Sequence, residues 1–261
     1  MAILNVTPDS FYAGSRTPDA AAVERRVRTA VDEGAGILDI GGYSSRPGAS
    51  EVSEAEEWRR VSLGLETARR VAPGTTVSVD TFRSGVAARA IETFGPVIVN
   101  DISAGALDPA MWETVAHFGV PYVAMHMRGT PQTMQTCTDY RDDIVTEVVR
   151  YFERRLGAMT AAGIRAEQIL LDPGFGFAKS VEQNYALLAG LHRLCALGYP
   201  VLAGLSRKSM IYKPLGCTPA ESLAGTVALG WECLRQGAKV LRVHDVREAA
   251  DTVRLFKLFR S

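Results

Sequence analysis

The chain has 261 residues, 47% of them hydrophobic, and its 29 Lys+Arg against 29 Asp+Glu leave no formal net charge. That balance argues against a nucleic-acid interface built on a basic stripe, and no stretch nears the ~18 apolar residues of a membrane helix. The four cysteines, Cys137, Cys195, Cys217 and Cys233, form no CxxC and no metal-ligand spacing with histidine. Together with the lack of a charged, apolar leader, this reads as reduced thiols in the cytoplasm.

Eight short apolar segments alternate with amphipathic stretches. Ala2-Ile3-Leu4 is the first strand and ends at Asn5. Thr17-Pro18-Asp19 opens a helix with Val23, Val27 and Val31 on one face, and Gly34 closes it. Gly36-Ile37-Leu38-Asp39-Ile40 is the second strand, followed by the glycine-rich segment 41–48. Ser53 with Glu56 forms a capping-box pattern ahead of Trp58, Val61, Leu65 and Ala68. Val77-Ser78-Val79 leads to Asp80, then to a helix over 84–94. Val97-Ile98-Val99 leads to Asn100, and Asp108-Pro109 starts a helix that Gly119 ends.

Tyr122-Val123-Ala124-Met125 leads to His126 and then to a long helix over 140–162, with Ile144, Val148, Phe152, Leu156 and Met159 inward. Ile169-Leu170-Leu171 leads to Asp172, followed by one helix over 181–197. The segment 201–205 leads to Ser206-Arg207-Lys208. Thr218-Pro219-Ala220-Glu221 is a capping box opening a helix that ends near Gly237. The segment 239–244 is the eighth strand, and 246–259 the last helix.

Strands alternating with helices imply a parallel sheet covered by helices. An open dinucleotide fold wants GxGxxG after its first strand, and Asn5-Val6-Thr7-Pro8 stands there instead. Eight units at this length predict a single-domain (β/α)8 TIM barrel over 1–261, whose strands gather their C-terminal ends at one mouth.

Asp80, Asn100 and Asp172 end three strands. Each alone suits a helix cap or an ion pair. Together they suit a heterocycle with several donors, because a carboxylate accepts two parallel N–H bonds and asparagine both donates and accepts. Lys208 reads as a further donor to that ligand, as an exposed loop lysine or, more distantly, as a Schiff-base lysine. Arg242 and His244 alternate with Leu241 and Val243 and so share one strand face, next to Asn5 in a closed ring. They form an anion site, unless Asp39 or Asp245 neutralises Arg242. Phe177, in Asp172-Pro173-Gly174-Phe175-Gly176-Phe177, either packs on the rim or walls an aromatic substrate.

These residues resemble the dihydropteroate synthase family. The matching motifs are Leu4-Asn5-Val6-Thr7-Pro8-Asp9-Ser10-Phe11, Asp39-Ile40-Gly41-Gly42, Arg46-Pro47-Gly48, Val79-Asp80-Thr81, Asn100-Asp101-Ile102-Ser103, Met125-His126-Met127, Asp172-Pro173-Gly174, Gly204-Leu205-Ser206-Arg207-Lys208 and Arg242-Val243-His244-Asp245. The resemblance implies condensation of 6-hydroxymethyl-7,8-dihydropterin diphosphate with 4-aminobenzoate, assisted by Mg2+, in a homodimer. It implies pterin binding by Asp80, Asn100, Asp172 and Lys208, and diphosphate binding by Asn5, Arg242 and His244, with Asn5 near the metal. It implies an aminobenzoate and sulfonamide site bordered by Phe11, Ser45, Arg46, Pro47, Phe177 and Ser206.

Two departures stand out. Ala13 replaces the acidic residue usual in the first loop, which leaves Asp9 as the nearest carboxylate, and Tyr43-Ser44-Ser45 replaces Glu-Ser-Thr in the second. Two alternatives therefore stay open: the pterin-binding domain of a corrinoid methyltransferase, and a catalytically silent pterin-binding homologue.

Overall fold

The computed structural model describes residues 1–7, 20–44 and 51–260. Among them the strands are β1 (Ala2–Asn5), β2 (Ile37–Gly41), β3 (Thr76–Asp80), β4 (Ile98–Asp101), β5 (Tyr122–Met125), β6 (Ile169–Asp172), β7 (Leu202–Ala203) and β8 (Val240–Leu241). The helices are α1 (Ala20–Asp32), α2 (Glu54–Val71), α3 (Ser84–Phe94), α4 (Met111–Phe118), α5 (Ile144–Ala161), α6 (Val181–Ala189), α7 (Leu191–Cys195), α8 (Ser209–Leu215), α9 (Leu223–Arg235) and α10 (Val246–Arg260).

Strands β1 to β6 pair in sequence order, all parallel, and β7 pairs with β8. Single parallel bridges, Leu171 to Val201 and Ala2 to Val243, join the two sheets. The Ile3 amide donates to Val243 O at 2.9 Å and the Val243 amide to Met1 O at 3.0 Å, so the ring closes. The predicted barrel is the fold.

The main core lies between strands and helices, where alternate strand residues such as Leu38, Ile40, Val77 and Val79 meet Val27, Val61, Leu65 and Val86. A second cluster fills the barrel floor with Ile98, Val123 and Leu202. A third, of Ile102, Met125, Met127 and Met134, lies under Phe82 and Phe177. Stripes at 3.6-residue spacing bury one face of each long helix. In α5 the five inward residues expected from the sequence are all buried.

Several boundaries differ from the expectation. The long helix starts at Ile144 because Asp143 caps it, its Oδ1 accepting from the Thr146 amide at 3.0 Å. Tyr140 instead lies outside the helix, under the Arg128 guanidinium. The helix expected over 181–197 breaks at Gly190, where a Cβ would stand 2.6 Å from Val145 Cγ2 on α5. Ser53 caps α2 through the Glu56 amide, but the Glu56 carboxylate binds Arg59 and Arg60, so only half the box forms. Glu221 does accept from Thr218, yet that box closes a turn, and the helix begins at Leu223. Helix α8 was not foreseen, since seven residues containing Pro214 show no usable periodicity. Strand β8 pairs with β7 over two residues rather than six, and beyond it Val243 bridges to Ala2 on the other side.

Candidate active site

The parallel register places functional residues in one row. Asn5 pairs with Gly41, Gly41 with Asp80, and Asp80 with Asn100. Asp39 lies two residues below Gly41 on β2, so it faces the same side one layer deeper. Its carboxylate is fully buried.

Arg242 reaches across this row. Its Nε donates to Asp39 Oδ2 and its Nη2 to Asp80 Oδ2, both at 2.6 Å, while Asn100 Nδ2 donates to Asp39 Oδ2 at 3.1 Å. The ion-paired reading of Arg242 therefore holds, with Asp39 and Asp80 as its partners. Asp245 is not one of them: it takes the Arg207 guanidinium through two bonds, at 2.9 and 2.6 Å. The third Arg242 nitrogen, Nη1, is the donor on which an anion role depends.

Asp172 ends β6 with its Oδ1 accepting from the Gly174 amide at 2.7 Å. Burial raises its carboxyl, and Lys208 opposes that shift. Burial likewise raises Asp80, with Arg242 pulling the other way. Lys208 caps α8, and its ammonium turns back to Phe175 O and lies 4.7 Å from the centre of the Phe177 ring. Burial lowers it to about 8, against the attraction of Asp172. Its field includes Asp172, Arg242 and Asp80, which makes one electrostatic cluster of residues from β3, β6, β7 and β8. A pocket of buried carboxylates beside a lysine and an asparagine offers acceptors for an amidine-like edge and donors for a ring carbonyl.

At the far side Ser206 Oγ and His244 Nδ1 lie 3.1 Å apart, and the His244 amide donates back to Ser206 Oγ at 3.2 Å. Phe177 is half-buried on the methionine cluster. Phe11, Ser45, Arg46 and Pro47, like Asp9 and Ala13, lie outside the described residues.

Sequence reasoning missed two features. Asp39 lies within a family motif but appeared with no role other than possible neutraliser, although a charge inside an apolar strand is itself a signal. Lys179 was not singled out, yet it is buried and bonded to His126 Nδ1, Gly174 O and Phe177 O, each at 2.9 Å.

Tyr43, the second-loop departure, has a defined place. It meets the Phe82 ring edge-on at 5.2 Å and the Arg83 guanidinium at 5.5 Å, and its hydroxyl accepts from Gln132 Nε2 at 3.1 Å. Arg83 donates to Val52 O at 2.7 Å and also to the buried Glu57.

The pterin binding enzyme family matches residues 1–244. A dihydropteroate synthase of Escherichia coli (strain K12) is 42% identical over 256 residues, covering 98% of this chain and 89% of the relative. The dihydropteroate synthase of Xanthomonas albilineans solved with 4-aminobenzoic acid superposes with a TM-score of 0.90 at 43% identity, covering 100% of this chain and 92% of that one. The same organism's enzyme in complex with 7,8-dihydropteroate gives 0.87 at 40% identity, covering 100% and 93%. Matched over nearly its whole length in sequence and in fold, this chain belongs to the pterin binding enzyme family.

Proposed function

We propose that this chain carries out the dihydropteroate synthase reaction, joining 6-hydroxymethyl-7,8-dihydropterin diphosphate to 4-aminobenzoate and releasing 7,8-dihydropteroate and diphosphate. One observation carries the reading: Asp80, Asn100, Asp172 and Lys208 converge on one barrel mouth in a chain whose relatives are solved with 4-aminobenzoic acid and with 7,8-dihydropteroate. Residues 1–261 act as one domain.

Asp80 and Asp172 accept from the pterin's amidine-like edge, Asn100 pairs beside them, and Lys208 donates to the ring. The carboxylates stabilise positive charge on the ring as the methylene C–O bond breaks and its electron pair leaves with diphosphate. Arg242 and His244, with Asn5, hold the departing anion. The amine of 4-aminobenzoate then forms the new C–N bond and gives up one proton. Phe177 and Ser206 border that amine's ring, with Phe11, Ser45, Arg46 and Pro47 closing over it.

The donor set suits Mg2+ carried mainly by substrate. Among the described residues no group of three His, Cys, Asp or Glu can hold a metal. Magnesium needs only one or two protein oxygens when phosphates and waters supply the rest, and Asn5 offers one at the row's edge. When bound there, Mg2+ supplies charge neutralisation to the diphosphate.

The reading includes a homodimer in the cytoplasm. Leu255, Leu258 and Phe259 are 62%, 72% and 74% exposed on α10, an apolar face that association covers. Among the described residues no helix is long and apolar enough to cross a membrane.

Diphosphate release tests the reaction. Release that requires both substrates supports it. Pterin binding without release favours the silent homologue, and release appearing only in Ala13→Asp does the same. Sedimentation at the mass of one chain refutes the dimer.

A further inference from the structure

The turn between β6 and α6 is locked from beneath. Three residues in five take positive φ: Gly174 at 68°, Gly176 at 79° and Ala178 at 50°. That path folds the carbonyls of Gly174 and Phe177 inward, onto the ammonium of Lys179. The third acceptor is His126 Nδ1, at the end of β5. A Cβ on Gly174 would stand 2.1 Å from His126 O, so the turn and the β5 end are in direct contact.

An ammonium has three donors and no acceptor. Below the Lys179 pKa of about 7 all three meet acceptors, so His126 Nδ1 there carries a lone pair and the ring proton sits on Nε2. Burial lowers the His126 pKa well below the ordinary value, consistent with a neutral ring. The ring also packs edge-on against Tyr151, with centroids 4.7 Å apart.

The clamp bears on the site. Phe177, whose carbonyl it holds, lies against the Lys208 ammonium. Gly176 touches the Lys208 stem as well, since a Cβ there would stand 3.2 Å from Lys208 Cδ. Asp172 is held at the other end of the turn by the Gly174 amide. The Gly176 amide donates to Asn184 Oδ1 at 2.7 Å, so α6 anchors the middle of the turn independently of the clamp.

We propose that Lys179, with neutral His126 as its acceptor, is a positioning residue that fixes the Phe177 wall against Lys208 and thereby sets the aminobenzoate subsite. This rests on the dihydropteroate synthase reading. The Phe177 carbonyl depends on Lys179, whereas the Asp172 backbone is held in the sheet by the His126 amide at 2.9 Å, and Lys179 reaches the Asp172 carboxylate only through its charge and the Gly174 peptide. Loss of the clamp therefore falls on the aromatic amine more than on the pterin.

The test uses the full chain with each substrate varied in turn. Lys179→Met is expected to raise KM for 4-aminobenzoate by about tenfold, while calorimetric affinity for the pterin diphosphate stays within about threefold. An unchanged KM, or equal losses for both substrates, overturns the proposal. Where Lys179→Met does not fold, the His126 pair decides. His126→Gln retains an acceptor and should stay near native, and His126→Leu should reproduce the rise in KM; equal behaviour of the two overturns it. On the native chain, 15N NMR at pH about 6 should find His126 protonated at Nε2 and bare at Nδ1. A protonated Nδ1 overturns the clamp without any activity measurement. A native chain that binds pterin yet releases no diphosphate would instead refute the reaction, and the NMR result would still judge Lys179.

Discussion

Asp39 and Arg242 stand 203 residues apart in sequence and 2.6 Å apart in space. Asp39 Oδ2 serves both Arg242 and Asn100, while its Oδ1 has no hydrogen-bond partner among the described residues. A fully buried carboxylate in that position depends on its arginine. Arg242 thus has two roles: it neutralises the floor of the mouth, and through Nη1 it can present charge to a ligand.

Arg242→Met strands Asp39, so stability should fall by about 3–5 kcal/mol in chemical denaturation. Adding Asp39→Asn should recover part of that loss. Affinity for the diphosphate substrate should fall far more than affinity for the pterin alcohol. Equal losses for the two ligands would leave Arg242 with its structural role alone.

Asp80→Asn and Asp172→Asn should each weaken pterin binding by about tenfold or more, since one charge-assisted bond is worth about 1.5–3 kcal/mol. Calorimetry checks this with the substrate or the alcohol. Asp172→Asn should leave the hydrogen bonds of Arg242 in place, whereas Asp80→Asn also removes one of that guanidinium's bonded partners. Unchanged affinity would remove the residue from the pterin pocket.

The buried lysines give a pH dependence. Folding lowers Lys179 to about 7 and Lys208 to about 8, from 10.5. Between those values and 10.5 the unfolded chain binds more protons, so both groups make stability rise with pH across that window. Urea titrations at pH about 8 and about 10 should show Lys208→Met with a flatter slope than the native chain. Identical slopes would contradict the lowered pKa.

The network beneath the second loop should rank its members. Glu57 is buried, accepts the Thr81 hydroxyl at 2.6 Å and holds Arg83. Glu57→Ala should cost about 3–5 kcal/mol by leaving Arg83 without its counter-charge. Tyr43→Ala should cost about 0.5–1 kcal/mol of cation–π contact. Denaturation midpoints in the reverse order would mean that Tyr43, rather than Glu57, anchors Arg83.

Much of this was legible in the sequence, because a parallel barrel converts strand order into geometry. Asp80, Asn100 and Asp172 are informative as polar residues that end apolar runs, and the fold brings those ends together. What stayed hidden depends on pairing across the ring. Nothing local says that Arg242 selects Asp39 and Asp80 while Asp245 goes to Arg207. Lys179 carries no local signal in the sequence, and only the positive-φ turn places carbonyls around it. The break at Gly190 was equally invisible, since it answers to Val145 on another helix.

The ring's closure also sets an order for synthesis. Strand β1 is made first, yet one of its edges finds a partner only when Val243 arrives. Until then a nascent chain carries an open parallel edge, the kind of surface that recruits stray strands. Asp39 waits through the same interval for its arginine. The segment from Arg242 to Val243 therefore completes both the wall and the charge balance of the mouth, and until it emerges the barrel's seam stays unsealed.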